Sequence, residues 1–375
     1  MIWKRVRLDE VAIVERGKFS ARPRNDKKYY GGDIPFLQTG DVSSSNGTVT
    51  NFKQTLNEKG LFVSRLFPAG TLLVTIAANI GDVADVAFDF ACPDSLVAVR
   101  PVGENNRIWL KYLLQSKKAF FKSRATQNAQ ANINLQVIRP MMILLPPLPE
   151  QRAIADLLST WDEAIEKTQK LIEAKEKQFK WLLNELIGNY CKRTGKQEVK
   201  LLELFKNTLK VEKGKPLIKK VIEDGQIPVV AGGQSYAYYH NKATHKGECI
   251  TISASGAYAG YVWYHNYPIW ASDCNVIVAK EGETKFFYYA LKHLQAKIYA
   301  LQSGGAQPHI YSKDLNTLTV PRPPLFEKKQ IAATLSTAQE EIDLLKKMAE
   351  RYREQKRGLM QKLLTGEWRV KLEGA

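Results

Sequence analysis

The sequence predicts a mixed α/β chain. Two globular regions alternate with two long helices, and an internal pseudo-two-fold relates the halves. Three observations carry this expectation. The chain repeats itself, since 146–188 superposes on 323–365 without a gap and about fifteen positions are identical. They include Leu148/Leu325, Glu150/Glu327, Ile154/Ile331, Leu158/Leu335, Ser159/Ser336 and Ile165/Ile342. The repeated stretch has the apolar period of a coiled-coil helix, and the stretches before each copy read as short strands followed by amphipathic helices.

The elements follow in chain order. In the first region "PFLQTGDV", "TLLVTIAA" and "DSLVAVRP" read as strands, and 107–125 as an amphipathic helix. The apolar stripe Ile154, Leu158, Trp161, Ile165, Thr168, Ile172, Lys175, Phe179, Leu182, Leu186 then steps 4-3-4-3, a period of about 3.5 residues. In the second region "IPVVAGG", "CITISASG" and "CNVIVAK" read as strands and 285–302 as a helix. The second stripe is Ile331, Leu335, Ala338, Ile342, Leu345, Ala349, Tyr352, Lys356, Leu359, Leu363. Each long helix is expected to run about 35 to 40 residues, roughly 55 Å at 1.5 Å per residue. Pro146, Pro147 and Pro149, like Pro321, Pro323 and Pro324, bar an earlier start. Gly188 and Gly366 are the natural stops. A two-fold across the helices makes them an antiparallel coiled coil and turns the globular regions opposite ways. The repeat is looser upstream: "LLVTIAANIGDVA" resembles "ECITISASGAYAGYV" only with a small insertion.

Composition narrows the function. A chain of 375 residues allows two or more domains, and the formal net charge of +17 favours a polyanionic partner. The charge is +8 over 1–145, zero over 146–195, +6 over 196–322 and +3 over 323–375. A membrane-binding amphipathic helix would carry the reverse distribution. No segment is long and apolar enough to span a bilayer, no apolar leader opens the chain, and four cysteines outside any CxxC pair fit a reduced, cytoplasmic setting.

Signatures of catalysis are missing. The chain has no P-loop, no Gly-rich methyl-donor loop with Asn-Pro-Pro-aromatic, and no Ser/His/Asp arrangement. Asp273, Glu283 and Lys285 resemble a metal-nuclease set, but the first half has no matching Glu-x-Lys. His240, His245 and Cys249 lack metal-ligand spacing. The expectation is no catalytic and no metal residue.

Binding remains. Base edges are read by amide, hydroxyl and basic side chains on loops. The first half offers Gln38, Thr39, Asn79, Gln127, Asn128 and Gln130, with Lys118, Lys122 and Arg124 for phosphates. The second offers Gln234, Tyr236, Tyr238, Ser253, Ser255 and Tyr258, then Gln302, Gln307 and His309, with Lys297 for phosphates.

At these residues the chain resembles the specificity subunits of type I restriction-modification systems. The resemblance spans nearly the whole length. Its carriers are "LPPLPEQRAIADLLSTWDEAI", its second copy "PRPPLFEKKQIAATLSTAQEEI", then "EQKRGLMQKLLTGEWRV", "IPFLQTGDV" and "NAQANINLQVI". One departure is Glu327-Lys328-Lys329-Gln330 where the first copy has Glu150-Gln151-Arg152-Ala153. The resemblance implies a target recognition domain at 1–149, a coiled-coil helix at 150–190, a second target recognition domain at 191–322 and a second helix at 323–368. It implies double-stranded DNA as ligand, each domain reading half of an asymmetric bipartite site. It further implies two modification subunits docked on the helices, and restriction/motor subunits completing the complex. S-adenosylmethionine, ATP and Mg2+ would belong to those partners, with no cofactor in this chain. The competing expectation is a non-catalytic coiled-coil adaptor whose basic heads bind RNA or acidic proteins.

Overall fold

A computed structural model describes residues 3–125, 132–207, 209–217, 225–305 and 307–371. The chain divides into two compact units, one of residues 1–168 with 348–375 and one of 169–347. Both divisions fall inside long helices, Leu148–Leu183 and Leu325–Leu364, of 36 and 40 residues. Each unit therefore takes a globular region and half of each helix.

In the first unit the main sheet orders Ala12–Arg16, Leu96–Pro101, Thr71–Thr75, Val83–Val86 and Thr48–Val49, antiparallel except for the last pair. The second unit repeats the first four places with Lys210–Lys213, Cys274–Val278, Cys249–Ser253 and Val262–His265. Immediately before each long helix a strand pairs with the first strand of its own globular region, Met142–Leu145 with Lys4–Arg7 and Thr319–Pro321 with Glu198–Lys200. The amphipathic stretches predicted as single helices are each two, Arg107–Ser116 with Lys118–Ala125 and Thr284–His293 with Gln295–Ala300. The breaks at Lys117 and Leu294 lie one repeat apart.

Two local expectations need correction. "PFLQTGDV" is not a strand. The strand Tyr30–Pro35 ends there, and the Gln38 backbone N–H donates to the Asp41 carboxylate at 2.8 Å, opening the helix Thr39–Ser43. The first long helix starts at Leu148, ahead of Pro149. First-turn residues have no intrahelical acceptor for an N–H, so proline there loses no bond.

The helices pair antiparallel within each unit. In the first, Trp161 meets Tyr352 edge-to-face at 5.6 Å, and Lys356 reaches Asp162 at 2.5 Å. In the second, Lys175 bonds Glu341 at 2.7 Å and Lys346 bonds Glu176 at 2.6 Å. Every apolar stripe residue is withdrawn from solvent. Ile154, Leu158, Ile172, Ile331, Leu335, Ile342 and Leu363 are buried; Trp161, Ile165, Phe179, Leu182, Leu186, Leu345, Tyr352 and Leu359 are half-buried. Lysines at apolar heptad positions are matched by carboxylates on the facing helix. Ile342→Asp should cost about 4 kcal/mol or more, because a carboxylate there is desolvated and unpaired. Ile165→Asp, at a half-buried position, should cost less. Urea denaturation of the two variants checks the order.

The repeated Glu150 and Glu327 anchor each helix start. Glu150 accepts from the Trp3 indole N–H at 2.9 Å and from the Arg369 Nε–H at 2.7 Å. Glu327 accepts from the Tyr190 hydroxyl and from Lys196 at 3.1 Å. Arg369, then the Trp3 indole, holds the Glu150 carboxyl below its ordinary value. A depressed carboxyl stabilises the fold above its unfolded pKa, and the effect disappears as pH falls through the folded one. The stability gap between wild type and Glu150→Gln should therefore shrink on acidification; denaturation at neutral and acid pH measures it.

Candidate nucleic-acid interface

The loops proposed from sequence are held by one repeated frame. In the first unit the chain turns between Thr71–Thr75 and Val83–Val86. The Gly81 N–H donates to the Thr75 carbonyl at 2.9 Å, and the Ile133 N–H to the Ile76 carbonyl at 3.1 Å. In the second unit the Gly260 N–H donates to the Ser253 carbonyl at 2.7 Å, and the Ile310 N–H to the Ala254 carbonyl at 2.9 Å. Both glycines have left-handed φ, +86° and +90°, and a Cβ on Gly260 would lie 2.6 Å from Ile310. The second turn is one residue longer, which is the small insertion read from the sequence. Each turn is braced from the position one repeat apart, Lys118 or Gln295. Lys118 bonds Asp82 at 2.5 Å; Gln295 donates to the Gly260 carbonyl at 2.8 Å and accepts from the Val262 N–H at 3.1 Å.

On this frame the second unit gathers several expected residues. Ser255 donates to the Asp273 carboxylate. His309 pairs through its backbone with Ser303 at 2.8 Å and stacks on Tyr311 at 6.2 Å. Gln302 donates to the Ala259 carbonyl at 2.8 Å. Tyr258, Lys297, Gln302, Gln307 and Gln234 are exposed, and Gln234 bonds Tyr299. Two expected residues are placed otherwise. Ser253 is 3% exposed inside its strand, so its hydroxyl does not face a ligand. Tyr236 stacks on Trp263 at 5.0 Å and bonds Tyr267 through its hydroxyl, which commits it to packing. Tyr238 is half-buried in the strand Tyr238–His240.

In the first unit Asn79 is exposed on the hairpin turn, and Lys122 and Arg124 on the helix Lys118–Ala125. Gln127, Asn128 and Gln130 lie outside the described residues. Gln38 and Thr39 stand at the start of the helix Thr39–Ser43, beside a cleft of about 820 Å³. Lys118, expected at phosphates, is taken by Asp82. Sequence reading missed Gln295, findable by carrying Lys118 one repeat forward. It also missed Arg24, Lys27, Lys53 and Gln54 around the cleft, which lie in no repeat and carry no periodic signal.

The nuclease-like set is dispersed by its partners. Asp273 serves Ser255, Glu283 accepts from Lys328 at 2.8 Å, and the Lys285 ammonium lies 5.9 Å from the Tyr264 ring. His245 faces Glu212 at 3.4 Å. Among the described residues no group of three or more His, Cys, Asp or Glu side chains is placed to hold a metal.

Two basic α/β units, built on one frame but carrying different loops, have the character of a duplicated nucleic-acid-recognition chain. Comparison with known proteins specifies which kind. The model of the type I restriction modification DNA specificity domain matches residues 2–176 and again 194–351. The chain belongs to that family. Its members are specificity components, non-catalytic by themselves. Among its relatives is a protein of Methanocaldococcus jannaschii assigned as the MjaX type I restriction enzyme specificity subunit, 26% identical over 98% of this chain and 94% of that one. The type I restriction enzyme MjaVIII specificity subunit of the same organism is 23% identical over 70% of this chain and 71% of its own. The fold matches the crystal structure of a type I restriction-modification S subunit from Mycoplasma genitalium, with a TM-score of 0.66 and 19% identity. That match covers 97% of this chain and 96% of the other.

Proposed function

We propose that the chain is the DNA-recognition subunit of a type I restriction-modification complex, each unit reading one half of an asymmetric bipartite site. The observation that carries this is the repeated frame with diverged loops. Equal frames place two readers equivalently, and unequal loops make the half-sites unrelated in sequence. The helices set the gap and dock two modification subunits. Off the buried stripe, Trp181 and Leu344 are 60% and 65% exposed on the helices. One structure similar in fold was solved in work on complex assembly of a type I restriction-modification system, with a TM-score of 0.60. S-adenosylmethionine, ATP and Mg2+ are assigned to the modification and restriction/motor subunits, and the complex to the cytoplasm. Among the described residues no helix is long and apolar enough to cross a membrane.

Co-expression with the cognate modification subunit, followed by genome-wide mapping of methylated adenine, tests the reading. The expected result is one asymmetric motif in two unrelated parts separated by a fixed gap. Absence of sequence-specific methylation, or of association with the methyltransferase, would favour an RNA-binding or protein-binding adaptor.

A further inference from the structure

The cleft in the first unit has a floor, two walls and a rim. Its floor is aromatic: Phe19 lies 4.9 Å from Phe36 and 5.9 Å from Tyr30, ring centre to ring centre. One wall is the start of the helix Thr39–Ser43, presenting Gln38; the other is the segment bearing Lys53 and Gln54. Across the cleft the Gln38 Nε2–H donates to Gln54 Oε1 at 3.2 Å. Both backbones are pinned, Gln38 by Asp41 at 2.8 Å and Gln54 through its carbonyl, which accepts from the Phe36 N–H at 2.9 Å. At the rim the Tyr30 hydroxyl donates to the Arg24 carbonyl at 2.6 Å, and Arg24 itself is held by Asp94 at 3.0 Å. Lys27 and Lys53 are exposed and have no ion-pair partner among the described residues.

This arrangement has a specific chemical complement. With one amide bond made between them, Gln38 keeps its Oε1 as an acceptor and Gln54 keeps its Nε2 hydrogens as donors. An acceptor beside a donor matches the N6–H and N7 of adenine on the major-groove edge. Two uncompensated lysines beside it match backbone phosphates. Resting on the reading of the chain as a specificity subunit, we infer that this cleft is where the first unit reads an A·T pair of its half-site. Gln38 and Gln54 are its specificity-determining pair, and Lys27 and Lys53 its phosphate contacts. Amides carried on pinned backbone and joined to each other have less freedom to lose on binding than two separate side chains, which favours discrimination over adaptability.

Gln38→Ala, Gln54→Ala and Lys53→Ala, each co-expressed with the modification subunit, separate the roles by mapping methylated adenines. Each glutamine variant should relax one position of one half-site, with preference there falling roughly 5- to 150-fold, and leave the other half unchanged. Lys53→Ala should keep the motif and weaken binding evenly across sequences, reducing the salt slope by about one. Unchanged preference at every position in both glutamine variants overturns the assignment. Where a truncated variant does not assemble, Gln54→Glu keeps the shape and should move preference at that position from adenine toward cytosine. An unmoved preference in that variant overturns the assignment as well. Wild-type protein that directs no sequence-specific methylation locates the failure in the specificity-subunit reading, not in the cleft.

Discussion

Lys328→Gln is expected to destabilise the second unit by about 3–5 kcal/mol, because it leaves a buried carboxylate without its cation. Lys328 and Glu283 bond at 2.8 Å with side chains only 6% and 11% exposed. The same two places in the first unit, one repeat earlier, hold Gln151 and Asn106. There the Asn106 backbone N–H donates to Gln151 Oε1 at 2.8 Å, and Gln151 donates to the Pro146 carbonyl at 2.9 Å. One unit joins its helix start to the preceding helix with a neutral amide, the other with an ion pair. The departure at Glu327-Lys328-Lys329 is therefore half of a paired exchange whose other half is Glu283. The double variant Glu283→Asn with Lys328→Gln should recover most of the loss, since it imports the first unit's neutral solution. Hydrogen exchange of peptides from the second unit, or chemical denaturation, measures both. Equal losses in the single and double variants would sink the pairing.

Inserting one heptad into both long helices, after Thr168 and before Met348, should lengthen the gap of the methylated motif by about three base pairs. Seven residues add about 10 Å of helix, and DNA rises about 3.4 Å per base pair. A heptad returns the apolar stripe to the same face, so the pairing of Trp161 with Tyr352 and of Lys175 with Glu341 survives. These positions are where the chain divides into its compact units, so neither globular region is cut. An insertion in one helix alone misaligns the facing stripes and should abolish methylation. Methylome mapping of the double insertion decides the matter, and an unchanged gap would remove the helices from any role in spacing.

The parts legible in the sequence are those with a period. The 4-3-4-3 stripe identified the helix faces, and every apolar member of it is withdrawn from solvent. The shift of 177 residues anticipated two equivalent strand-and-helix regions and a small insertion in the second, but not the breaks at Lys117 and Leu294, which split each predicted helix in two. The readings that strayed lay where a local device outweighs pattern. "PFLQTGDV" has the composition of a strand, but Gln38 and Asp41 cap a helix there. Pro149 reads as a breaker, but a first-turn position does not need its N–H. Ser253 lies in the stretch read as a strand, and burial from both faces of that strand, which no polar residue type reveals, withdraws its hydroxyl.

By itself the sequence determined the class of this protein: a duplicated chain, antiparallel helices, two basic globular regions, and membership of a DNA-specificity family. Periodicity and repetition are properties of order along a chain, so they survive without coordinates. The tertiary structure alone decided which polar side chains are available. Gln38 and Gln54 are sixteen residues apart with no pattern linking them, and they meet because a strand end and a helix cap bring two walls of one cleft together. Gln295 braces a turn more than thirty residues before it, and Glu283 waits for a lysine forty-five residues ahead. Such contacts depend on where folding closes long loops, and that information resides in packing, not in local order.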